Sequence, residues 1–197
     1  MDSLPLPRLR SLALAIAALA FAAPAASAAD GCEERESSPV FEPWNDRARY
    51  TLAPGGDFET AAAGWALDGP AAVAAESSPF LLGSALGAGS LELADGATAL
   101  SAPICVERGF PTFRFVARSA GEEQGVLRVE VVYASGKVKK AGRVKPGAEW
   151  APTRKLSLAQ GLSKTGRRGS TLIQLRFAAT AGSVRMDDVY VDPRYKR

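Results

Sequence analysis

Histidine is absent from this chain of 197 residues. Its absence removes the most common general base and the side chain that titrates near neutral pH. The sequence also has no serine nucleophile elbow, no zinc-ligand spacing and no glycine-rich phosphate loop. Adjacent carboxylates, such as Asp187 and Asp188, are expected on opposite faces of a strand and cannot flank a glycosidic bond. We therefore predict a protein that is not an enzyme.

Long hydrophobic runs are scarce, and the longest lies at the N-terminus, from Leu12 to Ala23. Arg8 and Arg10 precede this run, and Ala26-Ser27-Ala28 follows it, which is the order of a secretory signal. A dozen apolar residues are too few to span a bilayer, where about 20 are needed. We predict that residues 1–28 are a signal peptide and that the remainder is secreted without a transmembrane segment. An uncleaved N-terminal anchor is the alternative.

Cysteine is also rare: Cys32 and Cys105 are the only two. An exported chain enters an oxidising compartment, which favours a disulfide over free thiols. We predict a Cys32–Cys105 disulfide that ties the start of the mature chain to the middle of the domain. The alternative is a lipoprotein, because the small residues Ala29 and Gly31 lie just before Cys32, although Asp30 fits that pattern badly.

Charge is unevenly distributed along the chain. Residues 29–100 contain 3 basic and 12 acidic residues, whereas residues 101–197 contain 19 basic and 8 acidic residues. This asymmetry indicates either a basic face for anionic polymers of the cell wall, or strands of both halves that interleave so that the charges cancel. No specific nucleic acid is expected as a partner. The densest basic cluster is on a predicted hairpin with Gly136 in its turn: Lys137, Lys139, Lys140, Arg143 and Lys145.

Alternation of apolar and polar residues is the main structural signal after residue 49. Apolar residues occupy every second position in three segments, at Phe113, Phe115 and Ala117, at Leu127, Val129 and Val131, and at Ile173, Leu175 and Phe177. Such period-two patterns with one charged face are typical of antiparallel sheets that cover a core on one side. Turn residues recur between the segments. We predict an all-β fold, an antiparallel β-sandwich of the jelly-roll type.

One domain is expected for a chain of this size. We place an extended N-terminal lead-in at residues 29–48, the jelly-roll domain at residues 49–193 and a basic tail at residues 194–197. Trp44, in the lead-in, is expected to pack onto the sandwich.

A set of short motifs resembles the carbohydrate-binding-module jelly rolls of the galactose-binding-like superfamily. The matching positions are an opening strand followed by Gly-Trp, a mid-domain tryptophan and a closing aspartate pair: Gly56, Phe58, Glu59, Gly64, Trp65, Trp150, Asp187, Asp188, Val189 and Val191. The opening from Pro54 to Glu59 also resembles small secreted proteins of actinobacteria. The resemblance implies a binding module and places Trp65 and Trp150 in the core.

The resemblance also implies a structural calcium ion where the first and last strands pair, held by Glu59 with Asp187 or Asp188. Calcium prefers several hard oxygen ligands. The alternative is that these carboxylates cap strand ends or pair with Arg49 and Arg185.

Glycan binding, which the resemblance implies, requires exposed rings that stack on sugar faces. The candidates are Tyr133, Trp44, Phe80 and Tyr50. Since the chain has only 15 aromatic residues and a single asparagine, Asn45, two hypotheses stay open. One is a secreted or cell-surface module that binds an extracellular glycan. The other is a structural or protein-interaction module of the cell envelope with a basic face for anionic polymers.

Overall fold

The structure, a computed structural model, describes residues 35–83, 86–107, 112–158 and 170–192. These residues form one short 3-10 helix, Glu42–Trp44, and thirteen strands. The strands are β1 Thr51–Leu52, β2 Ala66–Asp68, β3 Ala71–Ala74, β4 Ser90–Leu93, β5 Thr98–Leu100, β6 Ile104–Glu107, β7 Thr112–Ser119, β8 Val126–Tyr133, β9 Val138–Val144, β10 Ala151–Pro152, β11 Leu156–Ser157, β12 Ser170–Ala181 and β13 Val184–Val191. The predicted all-β class is confirmed.

The strands form two antiparallel sheets that face each other. In the first sheet the order is β10-β7-β13-β4-β3, with β1 paired to β13 and β11 paired to β7. In the second sheet the order is β2-β5-β12-β8-β9, with β6 paired to β12. The first and last strands pair, with Thr51 opposite Val191 and Leu52 opposite Tyr190. This is the predicted jelly-roll sandwich.

Alternation along the strands builds the core between the sheets. The inward residues of β7, β8 and β12 that the sequence pattern marked are all buried there: Phe113, Phe115, Ala117, Leu127, Val129, Val131, Ile173, Leu175 and Phe177. Aromatic rings fill its centre, because Phe177 stacks on Trp65 at 5.8 Å and meets Phe115 edge to face at 5.3 Å. Trp65 is thus a core residue, as the resemblance implies.

A second apolar cluster lies on the outer face of the first sheet. We call it the outer-face cluster, and its buried members are Phe41, Ala48, Tyr50, Leu82, Val116 and Tyr190. Val116 and Tyr190 point outward because they alternate with core residues on β7 and β13. Phe41 is fully buried and meets the rings of Tyr50 and Tyr190 edge to face. The segment before β1 therefore covers part of this face.

The lead-in departs from the extended segment that we predicted. Its described part contains the 3-10 helix after the buried Phe41, and an isolated bridge joins Ser38 to Tyr50. Asp46 fixes it to the sheet: one carboxylate oxygen accepts hydrogen bonds from Arg114 Nη1 at 3.0 Å and from the Tyr50 hydroxyl at 2.7 Å. The chain folds back here because Phe41 gains a buried apolar site and Arg114 gains a counter-ion.

The predicted basic hairpin is confirmed as β8 and β9. Gly136 lies in its turn with φ of +78°, a conformation that glycine adopts without strain. β9 is the edge strand of the second sheet. The predicted signal peptide, the basic tail and Cys32 lie outside the described residues, so they and the Cys32–Cys105 disulfide stay predictions. Within the described residues, no helix has the length and hydropathy of a membrane-spanning segment.

Candidate functional site

An acidic cavity of about 270 Å³ opens beside the pairing of the first and last strands. We call it the acidic cavity, and its lining includes four carboxylates: Asp57, Glu59, Asp187 and Asp188. Leu52 and Tyr190 line it as well, and both also belong to or pack against the outer-face cluster. The three predicted calcium ligands thus come together in one cavity, and Asp57 joins them without having been predicted.

Asp187 and Asp188 line the same cavity because β13 has an irregularity between Asp187 and Tyr190. Asp188 lies there in the left-handed region with φ of +54°. A bulge of this kind redirects a side chain, so two adjacent residues no longer alternate between faces. The expectation that this aspartate pair points to opposite faces was therefore wrong.

The buried carboxylates are held by the loop that precedes β4. Asp187 Oδ2 accepts hydrogen bonds from the Ser77 hydroxyl and the Ser78 N–H, both at 2.8 Å. Asp188 Oδ2 accepts one from the Ser78 hydroxyl at 2.7 Å. The pair thus fixes this loop against β13.

Burial raises the pKa values of both aspartates, and neighbouring carboxylates add to the effect. Burial, together with the charge of Asp188, raises the pKa of Asp187 to about 7. Burial also raises the pKa of Asp188 to about 6, with further contributions from Asp57 and Glu59. A cationic or hydrogen-bond-donating group in the cavity would relieve this repulsion.

Calcium requires several oxygen atoms around one point. Glu59 instead accepts hydrogen bonds from the N–H groups of Ala88 and Gly89, at 2.9 to 3.0 Å. Among the described residues, no three acidic, histidine or cysteine side chains are grouped closely enough to hold a metal ion. In this arrangement the predicted ligands do not fit a pre-formed calcium site.

Two of the four predicted sugar-binding aromatics lie together on the outer face of the first sheet. Trp44 and Phe80 are both half-buried, with ring centroids 4.9 Å apart in an edge-to-face arrangement. Both pack against the outer-face cluster, next to which Leu52 and Tyr190 lead into the acidic cavity. The Trp44–Phe80 pair and the cavity therefore border the same apolar cluster, although neither ring lines the cavity itself.

The other two candidates are buried, so the expectation of exposed rings was wrong for both. Tyr50 is fully buried, and its hydroxyl bonds to Asp46. Tyr133 is 7% exposed, and its hydroxyl donates to the Leu158 carbonyl. Tyrosine can be buried in this way whenever its hydroxyl finds a partner.

The surface position of Trp150 was not predicted, because the resemblance implies a core position for it. It is half-buried at the edge of the outer-face cluster, and its indole N–H donates to Glu76 at 3.2 Å. Arg118 lies over its ring at 5.6 Å, and both Arg118 and Arg185 pair with Glu76. No sequence pattern around Trp150, which lies next to the short strand β10, indicates this orientation.

The comparisons with known proteins support the fold class. No protein-family model and no curated protein sequence matches this chain. The xylan-binding domain CBM22-1 of Paenibacillus barcinonensis Xyn10C aligns with a TM-score of 0.50 and 14% identity, over 72% of this chain and 94% of that domain. The CBM22-1–GH10 modules of Clostridium thermocellum Xyn10B, solved with xylohexaose, align with a TM-score of 0.52 and 11% identity over 71% of this chain.

This chain spans only 28% of the Clostridium protein, whose structure also includes a GH10 module. At these identities the similarity defines the fold and not the ligand. The protein accordingly has the jelly-roll fold of carbohydrate-binding modules.

Proposed function

We propose that the protein is a non-catalytic, secreted or cell-surface module that binds a glycan across the outer face of its first sheet. The observation that carries this proposal is the half-buried Trp44–Phe80 pair on a jelly-roll sandwich, which borders the same apolar cluster as the acidic cavity. Trp44 and Phe80 supply an apolar ring surface for one sugar unit. The cavity then receives the neighbouring unit.

Apolar and polar groups are combined at this site in the way that small-molecule sites require. Binding sites generally join an apolar wall to a few placed polar groups, in volumes of about 300–1,000 Å³. The acidic cavity, at about 270 Å³, lies just below that range and suits a single sugar unit. Its carboxylates accept hydrogen bonds from hydroxyl groups, and bonds to charged acceptors are stronger than neutral ones.

A non-catalytic role agrees with how the two central carboxylates are used. Asp187 accepts three hydrogen bonds from protein donors, including the Asp188 N–H at 2.8 Å, and Asp188 accepts one from Ser78. These bonds hold the site in shape. The carboxylates therefore have a structural and ligand-positioning role.

Titration calorimetry of the purified protein tests the proposal. Xylohexaose is the first ligand, since one similar fold is solved with it and another is named as a xylan-binding domain. An array of neutral glycans follows. Trp44→Ala or Phe80→Ala should weaken binding at least about tenfold, because central aromatic contacts dominate binding energy. Leu172→Ala is the matched control, since Leu172 is 50% exposed on the second sheet.

The two outcomes separate the hypotheses clearly. Saturable binding that is lost in the ring variants and kept in Leu172→Ala supports the glycan module. Absence of binding to every glycan would overturn it and favour the protein-interaction module of the envelope.

Calcium is a separate proposal. An ion at Glu59, Asp187 and Asp188 requires Glu59 to leave the Ala88 and Gly89 N–H groups. A rise in melting temperature with calcium that is absent in Asp188→Asn would support such a site. An unchanged melting temperature in calcium and in chelator would rule out such a calcium site.

A further inference from the structure

A second cavity, of about 300 Å³, lies at the edge of the sandwich between β9 of the second sheet and β10 of the first. We call it the basic cavity. Its lining includes three cations, Arg143, Lys145 and Arg154, together with apolar or neutral residues that include Ala117, Val144, Pro146 and Thr153. None of its lining residues lines the acidic cavity. The two sites are therefore separate.

The three cations have no counter-ion within the described residues. Arg143, Lys145 and Arg154 are exposed and form no ion pair there, and no described acidic side chain lines the basic cavity. Neighbouring cations differ, because Lys155 pairs with Asp46 at 2.8 Å and Arg118 pairs with Glu76 at 2.9 Å. Positive charge is thus concentrated where nothing in the described chain neutralises it.

Hydrogen bonds hold the backbone next to Arg154 in place. Thr153 is buried, its N–H donates to the Phe115 carbonyl at 2.8 Å, and its carbonyl accepts from Arg114 Nε at 2.7 Å. The Arg154 guanidinium lies over Gly142, since a Cβ at Gly142 would come within 3.1 Å of Arg154 Nη2. The same Cβ would come within 2.8 Å of Leu156 Cδ2, so glycine at this position lets both side chains lie close to the strand.

The strand opposite is shaped by an irregularity. The register of β8 with β9 shifts between Val129 and Glu130, which leaves Ala141 as an extra residue next to Gly142. Bulges at sheet edges bend the strand and redirect its side chains. Arg143 and Lys145 follow this bulge in the chain, and both line the basic cavity.

We propose that the basic cavity binds an anionic group, a carboxylate, sulfate or phosphate, of an acidic polysaccharide. Two guanidinium groups supply planar forks that match such oxyanions by paired hydrogen bonds. The exposed Lys140 lies farther along β9 from the cavity, and the exposed Lys137 lies in the turn just before this strand. A linear polymer with repeated negative charges meets these lysines as well, whereas a free ion would use the cavity alone.

Binding of size-matched acidic polymers to the purified protein tests this proposal at about 150 mM salt, where loosely placed surface charges are largely screened. The probes are polygalacturonate, dextran sulfate and a phosphomannan, which separate the three anionic groups. Arg143→Ala with Arg154→Ala should weaken binding of the preferred polymer at least about tenfold. Lys137→Ala with Lys140→Ala removes the same charge outside the cavity and should cost no more than about threefold.

A charge-conserving variant tests whether the guanidinium groups contribute through their geometry as well as their charge. Arg143→Lys with Arg154→Lys keeps the charge but loses the forks, so we expect a loss of several-fold if the paired hydrogen bonds are made. Equal losses in both alanine pairs, no binding at this salt, or tighter binding to DNA of equal length would each overturn the proposal. Neutral-glycan binding should be unchanged in all these variants, which separates this test from that of the Trp44–Phe80 surface.

Discussion

Replacement of Asp46 by alanine tests how the lead-in is fixed to the first sheet. Asp46 is 6% exposed and accepts hydrogen bonds from Arg114, Tyr50 and the Ala48 N–H, while Lys155 lies 2.8 Å from its other oxygen. Asp46→Ala leaves Arg114, itself 8% exposed, buried without its counter-ion. Breaking one side of a buried ion pair costs about 3–5 kcal/mol.

The pH dependence of the free energy of unfolding gives a second value for the contribution of Asp46. Burial favours a higher pKa for Asp46, but hydrogen bonds from Lys155, Tyr50, Ala48 and Arg114 outweigh it and lower the pKa from 3.8 to about 2. At about 1.4 kcal/mol per pH unit, this difference corresponds to roughly 2.5 kcal/mol. Because the folded-state pKa is the lower one, the stabilisation is complete above about pH 4 and is lost as the pH falls through about 2.

Urea unfolding of the wild type and Asp46→Ala at pH 7 and at pH values down to about 2 measures both effects. The difference in free energy of unfolding should be about 3–5 kcal/mol at pH 7 and should shrink in acid. Glu42→Gln is the matched control, because its pair with Arg47 at 3.6 Å is exposed and should contribute little. A variant within about 0.5 kcal/mol of wild type at pH 7, or one with the wild-type acid response, would refute this reasoning.

The remaining predictions concern other parts of the chain. Phe41→Ala should lower the free energy of unfolding by about 3–5 kcal/mol, measured by denaturation, because Phe41 fills the outer-face cluster. In chelator, the wild type should melt at a lower temperature at pH 8 than at pH 5, and Asp187→Asn should reduce that difference. The reason is that the raised pKa of Asp187, about 7, contributes stability that is lost as the pH rises through it. Mass spectrometry of the exported protein should find an N-terminus at Ala29 and a Cys32–Cys105 bridge, whose removal should cost about 4 kcal/mol. An intact N-terminus or two free thiols would contradict that prediction.

The sandwich core was predictable because alternation is a local signal. Phe113 and Phe115, or Ile173 and Leu175, mark the inward face within a few residues of sequence. The outer-face cluster was not predictable, since Phe41, Val116 and Tyr190 are far apart in sequence and meet only through the fold.

The candidate site was predictable only in part. The pairing of the first and last strands brought Glu59 and Asp187 to one cavity, as expected from the resemblance. The bulge at Asp188 could not be predicted, because nothing in the sequence distinguishes an aspartate with left-handed backbone from one in a regular strand. Tyr50 and Tyr133 were misplaced because composition does not tell whether a tyrosine hydroxyl has a buried partner.

Tryptophan indole signals give the most direct test of the glycan-binding surface. The three tryptophans, Trp44, Trp65 and Trp150, give three assignable N–H resonances in a ¹H–¹⁵N spectrum. Trp65 is an internal control, because it is buried and its N–H donates to the Pro54 carbonyl at 3.0 Å. A glycan that binds should shift the Trp44 signal saturably and leave the Trp65 signal unmoved. Saturable binding without any shift at Trp44 would show that the glycan does not bind at the Trp44–Phe80 pair.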